Sequence, residues 1–207
     1  MSKIFVTGIG TDVGKTVVSA ILCEALAADY WKPLQTGAED HPDVATVQHY
    51  LSNPSIVCHP SAVSLRLPAS PNIAANAENT TLILEEIQFP STSNTLVIEG
   101  AGGILVPINA SQTFADFVLL HQLPVVLVVR NYLGCINHTL LSIELLKAKG
   151  IRILTGVFNG NFSDGVKETI REHSSITWLD IEDAKTVDVE FIRSEATKIR
   201  SLIADFR

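Results

Sequence analysis

Short runs of apolar, mostly β-branched residues alternate along the chain with longer segments in which apolar residues recur at helical spacing. The runs predict strands near residues 3–7, 95–99, 124–130 and 151–158. The longer segments predict helices near residues 15–28, 43–51, 79–88, 113–121, 136–149 and 187–204. Such alternation is typical of a parallel sheet with helices on both faces. We therefore predict one α/β domain over residues 1–207.

One irregular stretch interrupts this alternation, because residues 52–79 are rich in Ser, Pro and Asn and show little periodicity. A connection of this length is uncommon unless it has a role in binding or catalysis. We therefore expect a long functional loop there.

The strand at 124–130 is apolar at nearly every position, which indicates a central strand that is covered on both faces.

Charge and composition narrow the classes of function. The net charge is −7 and the 15 Lys and Arg residues form no run, which argues against a nucleic-acid partner. Pro124 and Arg130 bound the longest strand-like apolar run, so no membrane-spanning segment is expected. Cys23, Cys58 and Cys135 form no CxxC pair and are expected to be free thiols. These features favour a cytoplasmic enzyme domain.

A glycine-rich loop follows the first predicted strand and leads into the first predicted helix. Gly8, Gly10 and Gly14 allow a tight bend in which backbone N–H groups point inward, next to the positive end of the helix. Lys15 is placed to neutralise nucleotide phosphates, and Thr16 to ligate Mg²⁺. Five residues instead of four separate Gly8 from Gly14, so the loop is a variant of the usual motif. It predicts a fold of the P-loop NTPase type.

Polar residues also follow the other predicted strands. Glu99 ends the run at 95–99 and precedes four small residues, and a carboxylate in such a position holds Mg²⁺ in phosphate-loop enzymes. Lys32 and Thr36 follow a presumed second strand, where a second cation would face the phosphates. Taken alone, Lys32 would be interpreted as a surface lysine. Asp43 is equally consistent with a charge at a helix start.

Together these segments resemble the dethiobiotin synthetase family, over most of the chain. The resemblance rests on the following motifs: Thr7-Gly8 through Val13-Gly14-Lys15-Thr16, Lys32-Pro33 with Thr36-Gly37, Pro68-Ala69-Ser70-Pro71, Glu99-Gly100-Ala101-Gly102-Gly103, Thr113-Phe114-Ala115-Asp116, and Leu133-Gly134-Cys135-Ile136-Asn137-His138. The glycine loop alone is unspecific, whereas the motifs beginning at Glu99 and Leu133, in that order, are highly specific.

The resemblance implies an ATP-dependent closure of a ureido ring on 7,8-diaminononanoate with CO₂ or bicarbonate. It implies catalytic roles for Thr11, Lys15 and Lys32, and Mg²⁺ ligation by Thr16, Asp43 and Glu99. The residues implied in nucleotide binding are Asp12, Val13, Gly14, Lys15, Thr16, Val17, Asp43, Glu99, Gly100, Ala101, Gly102 and Asn159. No histidine or cysteine nucleophile is required, so Cys135 and His138 are expected to be structural.

For the diamine, the resemblance implies contacts with Thr36, Ser70 and Pro71 from one subunit. It also implies contacts with Gly134, Cys135 and Asn137 at a subunit interface, and hence a homodimer with shared sites. The predicted helix at 136–149 is apolar around much of its circumference, which fits a dimer face and a buried helix equally well.

The chain departs from the family pattern at two places. Ile9 and Gly10 stand where the family commonly has Thr and Asp. The proline-containing segment that touches adenine in relatives has no counterpart, because no proline follows Pro124. Asn159 matches the adenine-contacting asparagine of the family, but a turn residue at a strand end is an alternative.

Two other classes of phosphate-loop protein are alternatives. A partitioning-type ATPase switch is expected to carry a second lysine near the loop start, where this chain has Gly10. An amide-forming ligase of the cobyrinic-acid type needs an attached glutaminase domain, for which 207 residues leave no room.

Overall fold

A seven-stranded parallel sheet runs through the centre of the computed structural model, which describes residues 2–37 and 42–206. The strand bounds are β1 Lys3–Gly8, β2 Asp29–Trp31, β3 Leu34–Thr36, β4 Cys58–His59, β5 Val63–Leu65, β6 Leu96–Gly103, β7 Val125–Val129, β8 Ile153–Asn159 and β9 Trp178–Ile181. The order in the main sheet is β4-β2-β6-β1-β7-β8-β9, and β3 pairs with β5 in a separate parallel ribbon. The long, strongly apolar strands β1 and β7 lie near the middle of the sheet, as their composition predicts.

Helices connect the strands and cover both faces of the sheet. Their bounds are α1 Lys15–Leu26, α2 Asp43–Tyr50, α3 Pro71–Ala77, α4 Phe114–Leu120, α5 Cys135–Ala148, α6 Val166–Glu172 and α7 Val189–Ile199. One buried apolar cluster joins the sheet to α1, α2 and α7, and a second joins it to α3 and α4. The predicted α/β fold with helices on both faces is confirmed.

Local sequence explains where several helices begin and end. Gly14 precedes α1 with a φ of 90°, and Ala27 ends the same helix in the left-handed region. Thr113 and Asp116 form a capping box at the start of α4, in which each side chain bonds the other residue's backbone N–H. The Asp188 side chain accepts a hydrogen bond from the Phe191 N–H at the start of α7. For these three helices, the predicted and observed first residues differ by at most two positions.

The helix predicted at 79–88 is wrong. The structure has only one 3₁₀ turn there, Leu84–Glu86, and the helix lies upstream as α3. Pro71 occupies the first turn of α3, where its fixed φ favours helix and its missing N–H is not needed. Asn79 adopts a left-handed φ of 54°, which separates α3 from the following segment.

The segment at 52–79 is less irregular than predicted, because it contains β4, β5 and α3. The sequence patterns also missed β3, α6 and β9. The α6 sequence is mainly polar, with Ile170 as its one buried residue, so it lacks the apolar stripe by which an amphipathic helix is recognised. None of the described helices is long and apolar enough to cross a membrane.

Strand β6 continues four residues past Glu99, so Glu99 lies within the strand and not at its end as predicted. The continuation is possible because Gly100 approaches the neighbouring strand closely: a Cβ at this position would lie 2.7 Å from the Phe5 ring. Gly103 pairs with Gly8 after a register shift between Val6 and Gly8. The glycine-rich end of β6 therefore lies directly beside the start of the phosphate loop.

Candidate active site

A cavity of about 680 Å³ opens at the carboxyl edge of the sheet, where ligand sites of open α/β sheets are found. The phosphate loop, the first turn of α1, the end of β6 and the loop before α3 form its walls. Its lining residues are Thr11, Asp12, Gly14, Lys15, Thr16, Val17, Lys32, Gln35, Thr36, Asp43, Pro68, Ala69, Ser70, Pro71, Glu99, Ala101, Gly102 and Val106. The structure thus brings together most of the predicted site residues.

Three oxygen-bearing side chains meet at the start of α1. The Thr16 hydroxyl lies 2.8 Å from Asp43 Oδ1 and 2.9 Å from Glu99 Oε1. Glu99 is almost completely buried, at 1% exposure. Mg²⁺ prefers oxygen ligands and usually keeps several water or phosphate ligands besides one or two carboxylates. This donor set therefore fits Mg²⁺.

No group of three or more His, Cys, Asp or Glu residues is arranged around a possible metal position in residues 2–37 and 42–206. The two carboxylates at Thr16 would supply only part of an octahedral shell. A partial shell of this kind is typical of Mg²⁺ that is held together with nucleotide phosphates, in contrast to a closed structural metal site.

Lys32 lies between the two carboxylates. Its ammonium group is 2.5 Å from Asp43 Oδ2 and 3.6 Å from Glu99 Oε1. Burial alone would lower the pKa of Lys32, but Glu99 and Asp43 raise it above the usual value. For Asp43, burial acts to raise the pKa, but the charge and hydrogen bond of Lys32, together with hydrogen bonds to Thr16 and Gln35, lower it below the usual value. Lys32 is therefore a buried cation and not a surface lysine.

Lys15 bends back over the phosphate loop, where its ammonium group donates a hydrogen bond to the Gly10 carbonyl at 3.0 Å. Burial lowers the pKa of Lys15 and Lys32 lowers it further, while Glu99 and Asp43 act in the opposite direction. Two lysines and two carboxylates thus share one small volume. A polyanionic ligand would complement the two cations there.

Asn159 holds the phosphate loop from the end of β8. Its side-chain N–H donates to the Val13 carbonyl at 2.9 Å, and the amide packs against Gly14 so closely that a Cβ on Gly14 would overlap it. Asn159 does not line the main cavity. Val13 and Gly100 are also absent from the lining, and the Val13 side chain is buried in the core.

The six residues predicted to contact the diamine fall into two separate places. Thr36, Ser70 and Pro71 line the main cavity. Gly134, Cys135 and Asn137 lie at the start of α5, outside that lining. Asn137 is exposed, whereas Cys135 is buried.

Cys135 and His138 make separate contacts. The Tyr132 hydroxyl lies 2.7 Å from His138 Nδ1, and the Cys135 thiol lies 3.9 Å from Asn131 Oδ1. These contacts do not pair the Cys135 thiol with the His138 ring.

Sequence reasoning missed three residues at this site. Gln35 accepts a hydrogen bond from the Asp43 backbone N–H at 3.2 Å and so fixes the start of α2. The Tyr30 hydroxyl donates to Glu99 Oε2 at 2.9 Å. Val106 adds an apolar surface to the cavity wall. A signal existed only for Gln35, which lies between the predicted residues Lys32 and Thr36.

Comparison with known proteins gives consistent matches. Residues 2–181 match the family model described as an AAA domain. The ATP-dependent dethiobiotin synthetase BioD of Christiangramia forsetii is 43% identical over 202 residues, which cover 97% of each chain. The protein of the same name from Cytophaga hutchinsonii is 41% identical over 201 residues, covering 96% of this chain and 97% of the relative.

Solved structures with the same fold are more distant in sequence. A ParA family ATPase from Chlorobium tepidum superposes with a TM-score of 0.55 and 13% identity, covering 99% of this chain and 91% of the other. The cell division ATPase MinD of Pyrococcus furiosus gives a TM-score of 0.53 and 15% identity, covering 98% of this chain and all of the other. These likenesses confirm the predicted fold class and carry no further conclusion about activity.

Proposed function

Since this chain belongs to the family of ATP-dependent dethiobiotin synthetases, we propose that its main cavity closes the ureido ring of dethiobiotin on 7,8-diaminononanoate. The resemblance predicted from the motifs is confirmed. The co-substrates are ATP and CO₂ or bicarbonate, and the products are dethiobiotin, ADP and phosphate.

One observation supports the proposal most directly: the phosphate loop, the Mg²⁺-type oxygen cluster and two buried lysines all face the same cavity as the loop at 68–71. The loop and the start of α1 would hold the ATP phosphates through backbone N–H groups. Thr16, Asp43 and Glu99 would hold Mg²⁺, which neutralises charge on the transferring phosphoryl group when it is bound.

The reaction requires three successive bond formations. One substrate amine attacks CO₂ and loses a proton to give a carbamate. A carbamate oxygen then attacks the γ-phosphorus and releases ADP, leaving a carbamic–phosphoric anhydride. The second amine attacks the carbamoyl carbon, loses a proton and displaces phosphate, which closes the ring. Because both amines belong to one molecule, the last step is intramolecular and gains from proximity.

The residues of this chain would stabilise negative charge at each of these steps. Lys15 and Lys32 supply two cations that already lie buried at the cavity wall, so little reorganisation is needed as charge develops. The Thr11 side chain lies beside Gly102 at the cavity mouth, within reach of the same volume. No covalent enzyme intermediate is needed.

We further propose a homodimer in which Gly134, Cys135 and Asn137 complete the diamine site of the partner subunit. Leu133, just before these residues, is fully exposed, and Tyr132 and Leu141 are also exposed. Exposed apolar side chains grouped around a helix start favour a protein interface.

Neither nucleic acid nor membrane is expected as a partner, and a cytoplasmic location fits the use of ATP and the three free cysteines.

Mixed dimers test the shared site. Lys15→Ala breaks the phosphate site and Asn137→Ala breaks the diamine anchor, so each homodimer is expected to be nearly inactive. A mixed dimer has one doubly broken site and one intact site. About half of randomly exchanged dimers are mixed, so the activity after exchange should reach about a quarter of the parental value. If exchange is confirmed and activity does not return, the complete site lies within one chain.

Nucleotide selectivity is expected to be weak. The segment 176–179 lacks the proline-containing motif of relatives, and Asn159 uses one of its side-chain N–H groups to hold the Val13 carbonyl of the phosphate loop. The triphosphate would then supply most of the affinity. We expect kcat/KM values for ATP, GTP and CTP that differ by less than about a hundredfold, which corresponds to about 2.7 kcal/mol. A larger preference for ATP would reveal a base pocket.

The alternative of a partitioning-type ATPase switch shares the fold but lacks a specific observation in its favour. ATP turnover measured with and without 7,8-diaminononanoate and bicarbonate separates the two functions. The synthetase should release ADP only when both co-substrates are present. ATP turnover that is independent of the diamine would contradict the proposal.

A further inference from the structure

We propose that the Tyr30 hydroxyl is a positioning group that fixes the orientation of the Glu99 carboxylate as a magnesium ligand. The hydroxyl donates to Glu99 Oε2 at 2.9 Å, while Glu99 Oε1 faces Thr16 at 2.9 Å. The two carboxylate oxygens thus have separate partners. This inference rests on the proposed role of Glu99 in holding Mg²⁺.

The sheet register explains why Tyr30 reaches Glu99. Tyr30 on β2 pairs with Val97 on β6, and Val97 and Glu99, two residues apart, point to the same face. That face is covered by α1, whose first turn carries Thr16. Tyr30 therefore approaches Glu99 from beneath α1, while Thr16 approaches it from the helix start.

Burial makes this contact more than incidental. Tyr30 is 0% exposed and Glu99 is 1% exposed, so water cannot replace the hydroxyl as a donor to Oε2. A phenol hydroxyl can donate its proton to a carboxylate oxygen, which has no proton of its own to donate. Without it, a buried carboxylate oxygen loses its donor and the carboxylate is free to turn.

Tyr30 is fully buried and does not line the cavity, whereas Glu99 does. Tyr30 touches neither nucleotide nor diamine in the proposed site. A change there should alter metal binding through Glu99 and leave metal-free nucleotide binding unchanged. Weaker metal binding with unchanged nucleotide binding distinguishes a positioning role from a general loss of structure.

The test uses Mn²⁺ as the probe, with its binding to the full-length protein measured by electron paramagnetic resonance at saturating ADP. Tyr30→Phe keeps the ring and should weaken Mn²⁺ binding by about tenfold, as expected for the loss of a hydrogen bond to a charged group. ADP affinity in EDTA should stay at the parental value. Thr155→Val removes another buried hydroxyl, on β8, and should leave both affinities unchanged.

Two further variants separate a failure of the metal role of Glu99 from a failure of the positioning role of Tyr30. Glu99→Gln must weaken Mn²⁺ binding; if it does not, the proposed metal role of Glu99 fails. If Glu99→Gln weakens binding and Tyr30→Phe does not, only the positioning role fails. Tyr30→Met removes the hydroxyl with a flexible apolar side chain and should reproduce the loss. If neither Tyr30 variant folds, the hydroxyl serves the fold and the positioning role is refuted.

Discussion

Lys15→Ala is expected to lower kcat/KM for ATP by more than a hundredfold. The substitution removes a buried cation that lines the cavity and, in the proposed function, would face the transferring phosphate. Its loss should cost on the order of 3 kcal/mol of transition-state stabilisation. Steady-state kinetics with saturating diamine and bicarbonate measure the effect. The loss should appear in kcat as well as KM, because charge on the phosphoryl group is greatest during transfer.

Lys3→Ala is the matched control for this prediction. Lys3 starts β1 at the opposite edge of the sheet, where its ammonium group lies 4.3 Å from the centre of the Phe89 ring. The Lys3→Ala substitution removes one positive charge from the protein at a position outside the cavity. It should therefore leave kcat/KM at the parental value. A Lys15→Ala enzyme with near-parental turnover would contradict the phosphate-loop assignment.

Glu99→Gln and Asp43→Asn are expected to raise the Mg²⁺ concentration for half-maximal activity by about tenfold or more. Each change replaces a carboxylate that contacts the Thr16 hydroxyl with a neutral amide of about the same size. The measurement is a Mg²⁺ titration of turnover at fixed ATP. The maximal rate should recover partly at high Mg²⁺, because the phosphates and the remaining ligand still bind the metal.

Glu24→Gln is the matched control for the carboxylate changes. Glu24 is a buried carboxylate on α1 that accepts hydrogen bonds from the Ser52 N–H and hydroxyl, away from the cavity. Its loss should lower stability and leave the Mg²⁺ titration unchanged. If the curves for Glu99→Gln and Asp43→Asn overlay the parental curve, the metal assignment is wrong.

The parts of the site that could be predicted from the sequence are those encoded locally. Lys15 and Thr16 follow a strand and a glycine loop and begin a helix, so their positions depend on adjacent residues alone. The starts of α1, α2, α4, α5 and α7 were predictable for a similar reason, because a capping box such as that of Thr113 and Asp116 acts within one turn.

The remaining parts depend on contacts between distant segments. Tyr30 reads as an ordinary core residue of a short strand, and its partner Glu99 lies 69 positions away. The helix at 79–88 was predicted from periodicity, whereas Pro71 and the left-handed Asn79 place it upstream. Strand β9 was missed because four residues at the sheet edge give too little pattern to identify.

The proposed reaction places one carbon from CO₂ in a ureido ring, and isotope incorporation tests this proposal most directly. The protein is incubated with 7,8-diaminononanoate, ATP, Mg²⁺ and ¹³C-labelled bicarbonate, and the product is analysed by mass spectrometry alongside the ADP formed. We expect a cyclic product that carries one labelled carbon and forms in an amount equal to that of ADP. ADP release without labelled ring product would contradict it.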